Sequence, residues 1–186
     1  VTDSESTAAA ISKFCLVRDS KVLAICPGAE FGEAKQWPSE YYAELSNSML
    51  AREWQVWLFG SANDELVAEA ILADIDNRYL EQFQNLVGRT YLAEAIDLRS
   101  LADAGISNDS GLMHVAAALM KPVVAIYGST SPDFTPPLAE KVKLLATDIE
   151  CRPCFKRECP YGHLRCLTEL KPELAMASVE SFSAKE

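Results

Sequence analysis

Short apolar runs alternate along this chain with longer stretches in which apolar residues return every three or four positions. Val22 to Cys26 (VLAIC), Val56 to Phe59 (VWLF) and Pro122 to Gly128 (PVVAIYG) are apolar on both faces and predict strands. Phe83 to Val87 (FQNLV) carries two amides and makes a weaker strand pattern, Gly105 to Ser107 leads into SNDSGLMHVAAAL, where a strand hands over to a helix, and Lys141 to Ala146 (KVKLLA) predicts the last strand. Between them, Tyr41, Tyr42, Leu45, Met49 and Leu50 predict a helix with Ser39 as its cap and Glu40 in its first turn. Leu66 to Ile75 predicts another, capped by Asn63 or Asp64, and Tyr91 to Ala104 a third. A fourth begins near Gly111. Residues 1–20 are expected to form a helix and linker, and Pro172 to Ser183 a C-terminal helix packed on the sheet. Alternating strands and helices, with strands apolar on both faces, imply an α/β fold: a single doubly wound Rossmann-like parallel sheet covered by helices on either side, spanning residues 21–186.

Composition narrows the class without changing it. The 186 residues are 49% hydrophobic and 24% charged, which suits one sizeable core. No apolar run approaches the roughly 20 residues that span a bilayer, so no transmembrane segment is expected. The first stretch, VTDSESTAAAISKF, has no apolar core of signal-peptide type, and a cytoplasmic setting is expected. A net charge of −10 argues against nucleic acid as a partner, because such binders present excess Lys and Arg to phosphates. Any anionic ligand must then be held by local groups.

In a doubly wound sheet, ligands lie beyond the carboxyl ends of the strands, where helix N-termini offer free amides and a favourable dipole. Five loops at that rim carry polar residues: PGAEFGEAKQWP, FGSANDE, VGRTY, SNDSGLMHVAAAL and GSTSPDFTPP. In the fourth, Asp109 and Ser110 read as the N-cap of the helix opening at Gly111, which lets a ligand approach the first-turn amides, and His114 lies about one turn further on. The loop has the features of a diphosphate cradle. A plain structural reading, with Asp109 as a cap, Lys35 solvated and Trp37 a staple before Pro38, stands beside it. No G-x-x-x-x-G-K-[ST], G-x-G-x-x-G or G-x-S-x-G pattern is present, which demotes P-loop, dehydrogenase and hydrolase chemistry.

The ordered set CPGAEFGEAKQWP, LFGSANDE, NLVGRTYLAEAIDL, SNDSGLMHVAAAL and PVVAIYGSTSP resembles the C-terminal half of the bacterial ADP-heptose:lipopolysaccharide heptosyltransferases, and ECRPCFKRECPYGHLRCLTELKP is similar to their heptosyltransferase II branch. The resemblance implies the C-terminal, nucleotide-sugar-binding domain of a GT-B glycosyltransferase. Its donor would be ADP-heptose and its acceptor the lipopolysaccharide inner core, brought by an N-terminal domain that also holds the general base; transfer would be inverting. No cofactor and no metal are implied. The acceptor would place the protein in the cytoplasm, at the inner face of the inner membrane. By the same resemblance Lys35 meets donor phosphate, Asp109, Ser110, Gly111 and His114 line phosphate and sugar, Thr90 flanks the adenosine, and Glu65 falls near the acid that meets the ribose hydroxyls. The first loop departs from some relatives in having no threonines before Lys35. Two rival classes remain at this point: a non-catalytic nucleotide-binding α/β module, and a nucleotide-sugar epimerase of GT-B plan.

Six cysteines are too few for a disulfide scaffold. Cys15 and Cys26 read as buried core thiols. Cys151, Cys154, Cys159 and Cys166 cluster in residues 151–166 and open with C-x2-C, but six residues separate the second pair where a zinc site would have two. A metal-free thiol cluster against the C-terminal helix is the expectation, with zinc as the alternative. Lys156, Arg157 and Arg165 interleave with it as a small basic patch, either balancing charge or meeting a phosphorylated acceptor.

Overall fold

The computed structural model describes residues 4–183. Its six strands are β1 (Val22–Cys26), β2 (Gln55–Leu58), β3 (Phe83–Asn85), β4 (Ala104–Asn108), β5 (Val123–Ile126) and β6 (Val142–Leu145). They pair in the order β3-β2-β1-β4-β5-β6, every pair parallel. The helices are α1 (Ser4–Lys13), α2 (Ser39–Leu50), α3 (Glu65–Ala73), α4 (Leu92–Ser100), α5 (Gly111–Ala118), α6 (Arg165–Thr168) and α7 (Pro172–Ser181). This is the doubly wound sheet that the apolar pattern implied.

Alternation along each strand divides the core into two layers. Leu23 and Ile25 of β1 face one side with Val56 and Leu58, packed under Leu45, Ile71 and Val179 of α2, α3 and α7. Val22, Ala24 and Cys26 face the other with Trp57 and Phe59, beneath Ala10 of α1 and Ala95 and Leu98 of α4. Met113 and Ala116 of α5 complete that side over Val123 and Ala125. Strands buried on both faces have no polar positions to spare, which is why they read as unbroken apolar runs. Helix α1 is tied to α4 by Ser6 Oγ donating to Asp97 Oδ2 at 2.6 Å and by a Lys13–Glu94 ion pair at 2.7 Å. Among the described residues no helix is long and apolar enough to cross a membrane.

Four local expectations are corrected. Ser39 does not cap α2: it is already its first helical residue, and the cap position falls on Pro38, which has no side-chain acceptor. Asp64 does not cap α3 either, because its carboxylate turns back to accept the N–H and hydroxyl of Ser61 at 2.8 and 3.0 Å. Ala104 belongs to β4, since α4 ends at Ser100. Cys15 is exposed rather than buried: the chain leaves α1 there in a left-handed turn, φ 53°, that carries the thiol outward. Cys26 is buried as expected.

Candidate functional site

Strand order reverses between β1 and β4, which lie side by side with Cys26 opposite Ser107. The chain leaves β1 toward α2 on one face and leaves β4 toward α5 on the other, so a crevice opens where the two loops part. A cleft of about 640 Å³ occupies that position. Its walls carry Phe31 and Lys35 from the first loop, Gly60, Ser61 and Asp64 from the second, and Thr90 from the third. Asp109, Ser110 and Gly111 come from the fourth. The apolar lining of the cleft comes from Leu92 and Ala95 of α4, Leu112 and Val115 of α5, and Cys26. Burial pushes the Cys26 thiol above its ordinary value, although the Arg99 guanidinium, 2.9 Å from its sulfur, works the other way.

The centre of the site is the Asp109 carboxylate, 6% exposed. Oδ2 accepts from Lys35 Nζ at 2.6 Å and from Thr130 Oγ1 at 2.7 Å, and Oδ1 accepts from Thr135 Oγ1 at 3.1 Å. Asp109 is therefore a hub and not the helix cap it was expected to be. The cap position of α5 belongs to Ser110, whose hydroxyl makes no cap bond and lies 3.2 Å from that of Ser107. With no capping side chain, the Gly111 and Leu112 amides of the first turn of α5 stay free for a ligand, while the Met113 N–H donates to the Ser110 carbonyl at 3.1 Å. Lys35 ends a one-turn 3-10 helix, Glu33–Lys35, and its ammonium also stands 4.8 Å from the centre of the Phe31 ring. Beyond Gly111 the space is open, because nothing lies within 4 Å of where a Cβ would stand.

Asn108, fully buried, stitches the loops together. Its Oδ1 accepts from the Trp37 N–H at 3.1 Å and Tyr42 OH at 2.9 Å, and its Nδ2 donates to the Pro27 carbonyl at 2.7 Å. Trp37, with Nε1 bonded to the Leu170 carbonyl at 2.8 Å, is part of the scaffold.

Of the seven candidate residues, Lys35, Thr90, Asp109, Ser110 and Gly111 meet at this one cleft. Glu65 and His114 are exposed and do not line it; the Glu65 carboxylate instead lies against Gly88 in the loop that leads to Thr90. Sequence reasoning missed Asn108, Thr130 and Thr135 as organisers, and Asp64, whose carboxylate lies within 3 Å of where side chains on Gly28 and Gly60 would begin. Only the hydroxyl-rich character of GSTSPDFTPP signalled Thr130 and Thr135.

The four clustered cysteines line one small cavity of about 10 Å³, together with His163, Ala34 and Ser129. Burial, reinforced by the other three sulfurs, pushes the Cys166 thiol up to about 11. Burial also raises Cys159, but the backbone N–H groups of Leu164, Tyr161, His163 and Gly162 together outweigh it and hold that thiol below its ordinary value. His163 Nδ1 accepts the Arg165 N–H at 3.0 Å. Among the described residues no group of three or more His, Cys, Asp or Glu side chains is placed to hold a metal ion.

The sequence and the fold match known proteins. Residues 2–165 match the model of glycosyltransferase family 9 (heptosyltransferase). The chain is 39% identical over 175 residues to lipopolysaccharide heptosyltransferase 2 of Salmonella typhimurium, covering 94% of this chain and 50% of that one. It is 40% identical over 171 residues to lipooligosaccharide heptosyltransferase 2 of Haemophilus influenzae, covering 91% and 49%. Among solved structures, the E. coli ADP-heptose lps heptosyltransferase II superposes with a TM-score of 0.87 at 36% identity, over 98% of this chain and 52% of that one. The chain thus spans about half the length of the curated relatives it matches. On sequence and fold together, the chain belongs to glycosyltransferase family 9, the heptosyltransferases.

Proposed function

We propose that this chain is the donor-binding half of a heptosyltransferase that transfers heptose from ADP-heptose to the lipopolysaccharide inner core. The observation that carries the reading is the Lys35–Asp109 pair, held at 2.6 Å beside the uncapped N-terminus of α5 and facing the cleft. An ammonium and free helix amides converging on one spot stabilise the charge of a diphosphate, and that charge grows as the sugar bond breaks through an oxocarbenium-like state. The apolar lining from α4 and α5 suits the flat face of adenine, with Thr90 and Asp64 in the same cleft available to the ribose. The acceptor and the general base come from a second domain, consistent with relatives about twice as long, and deprotonation from the opposite face gives inversion. An acceptor built on lipid places the working enzyme at the inner face of the inner membrane.

Calorimetry of the chain with ADP tests this reading. Binding is expected, with no heptosyl transfer by this chain alone. Lys35→Met should weaken ADP by about tenfold or more, corresponding to about 1.5–3 kcal/mol for a hydrogen bond to a charged group, and leave adenosine affinity unchanged. Equal ADP affinity in the two proteins, or none in the parent, would overturn it.

A further inference from the structure

The segment that carries the four cysteines touches both loops that meet on Asp109. Arg152 directs its guanidinium to three backbone carbonyls and to no carboxylate: Nε donates to Gly128 at 2.9 Å, Nη2 to Thr130 at 2.8 Å and Nη1 to Thr147 at 2.8 Å. Next to it, the Phe155 N–H donates to the Ser129 carbonyl at 2.8 Å. Three consecutive carbonyls of the irregular loop after β5 are thereby fixed from one side. The same segment holds the loop after β1, since the Arg157 carbonyl accepts the Ala34 N–H at 3.0 Å and the Arg157 guanidinium lies 5.3 Å from the centre of the Phe31 ring. The two loops are pressed together where they pass: the Ser129 N–H donates to the Ala34 carbonyl at 2.8 Å, and a side chain on Gly128 would begin 2.3 Å from that oxygen.

From Arg152 the connection runs through Thr130. Its carbonyl is held by Nη2, and its hydroxyl donates to Asp109 Oδ2, the same oxygen that takes Lys35 Nζ. We propose that Arg152 is a positioning residue for the donor site, fixing Thr130 and through it the Asp109 carboxylate and the Lys35 ammonium at the place a diphosphate occupies. This rests on the donor-binding reading above. A guanidinium suits the task because its rigid planar fork presents several donors at set angles, whereas a lysine at the same place is a single flexible point charge and cannot reproduce the fork.

The test compares Arg152→Met, Arg152→Lys, Thr130→Val and the double variant Arg152→Met/Thr130→Val with the parent chain, titrating each with ADP and with adenosine. Arg152→Met should lose about tenfold in ADP affinity and Arg152→Lys a smaller factor, with adenosine unchanged, and the double variant should lose no more than the worse single because both act through one contact. Unchanged ADP affinity in Arg152→Met, or losses that multiply in the double variant, overturn the positioning role. Should Arg152→Met fail to fold, Arg152→Lys carries the comparison. A parent chain that does not bind ADP sinks the donor reading instead. Positioning is then read from the ligand-free protein by the acetylation rate of Lys35 with acetic anhydride. That rate should rise several-fold in Arg152→Lys, and an unchanged rate overturns the proposal.

Discussion

Replacing Asp109 by asparagine separates two roles that the sequence leaves superposed. Were Asp109 a helix cap, Asn would serve about as well, and the cost would stay near zero. The structure gives a different expectation. In shape the exchange is nearly neutral: Nδ2 takes the place of Oδ1, and the Thr135 hydroxyl, 3.1 Å away, can turn to accept from it. What disappears is the charge that Lys35 faces at 2.6 Å, where the side chains are 13% and 4% exposed. At that separation an effective dielectric of about 20 gives a gross attraction of roughly 6 kcal/mol. Breaking a buried pair on one side typically costs about 3–5 kcal/mol, and the cleft lets the freed ammonium recover some hydration, so about 2–3 kcal/mol is expected. For a chain of this size that corresponds to a melting temperature lower by about 6 °C. Thermal and urea unfolding without ligand measure it. Lys35→Met combined with Asp109→Asn should cost less than the sum of the two, because neither charge is then left alone. ADP should raise the melting temperature of Asp109→Asn less than that of the parent, since the ammonium that meets the diphosphate is no longer held in place by the Asp109 carboxylate. A variant melting within about 1 °C of the parent would refute the hub and return Asp109 to a cap.

Gly111→Ala should leave stability within about 0.5 kcal/mol, because the position is open and alanine favours a helix, while ADP affinity falls as the methyl group blocks approach to the first-turn amides; unchanged ADP binding would mean the ligand does not sit there. The clustered thiols should titrate in a fixed order under iodoacetamide, followed by mass spectrometry: Cys159, held low by backbone amides, reacts at the lowest pH, and Cys166, raised to about 11 by burial, reacts last. The reverse order would contradict the amide arrangement. Since the folded Cys166 thiol is the raised one, its contribution to stability is complete below the ordinary thiol range and is lost as pH rises toward about 11, so alkaline unfolding should begin earlier than in Cys166→Ser; equal alkaline midpoints would discount the effect.

The sheet was legible because parallel strands buried on both faces leave an apolar run that little else produces, and VLAIC became β1 residue for residue. Edges were less legible. Gln55 entered β2 although polar, since its amide finds Asp19 at 2.7 Å and its carbonyl oxygen accepts from the buried Trp57 indole at 3.1 Å, partners invisible in a local window. The helix starts misled for a similar reason. A serine or an aspartate ahead of an apolar stripe reads as a cap, but whether the side chain turns onto its own helix depends on what else is near.

At the site, sequence shows where polar residues gather and not what each one faces. The stretch SNDSG announced a helix start at a strand end, and the cleft is there. The partners that turned Asp109 from a cap into a hub lie 74, 21 and 26 residues away, at Lys35, Thr130 and Thr135, and reach it only because β1, β4 and β5 are neighbours in the sheet. The same separation explains how a chain of net charge −10 presents a local site for an anion. Most of its described acids are exposed, where water and salt screen them, while one lysine and one helix terminus act at short range inside the cleft. Asp109 then has a use despite its sign: an ammonium left alone so close to the helix dipole would be repelled and would wander, and a buried carboxylate pinned by two hydroxyls keeps it in place.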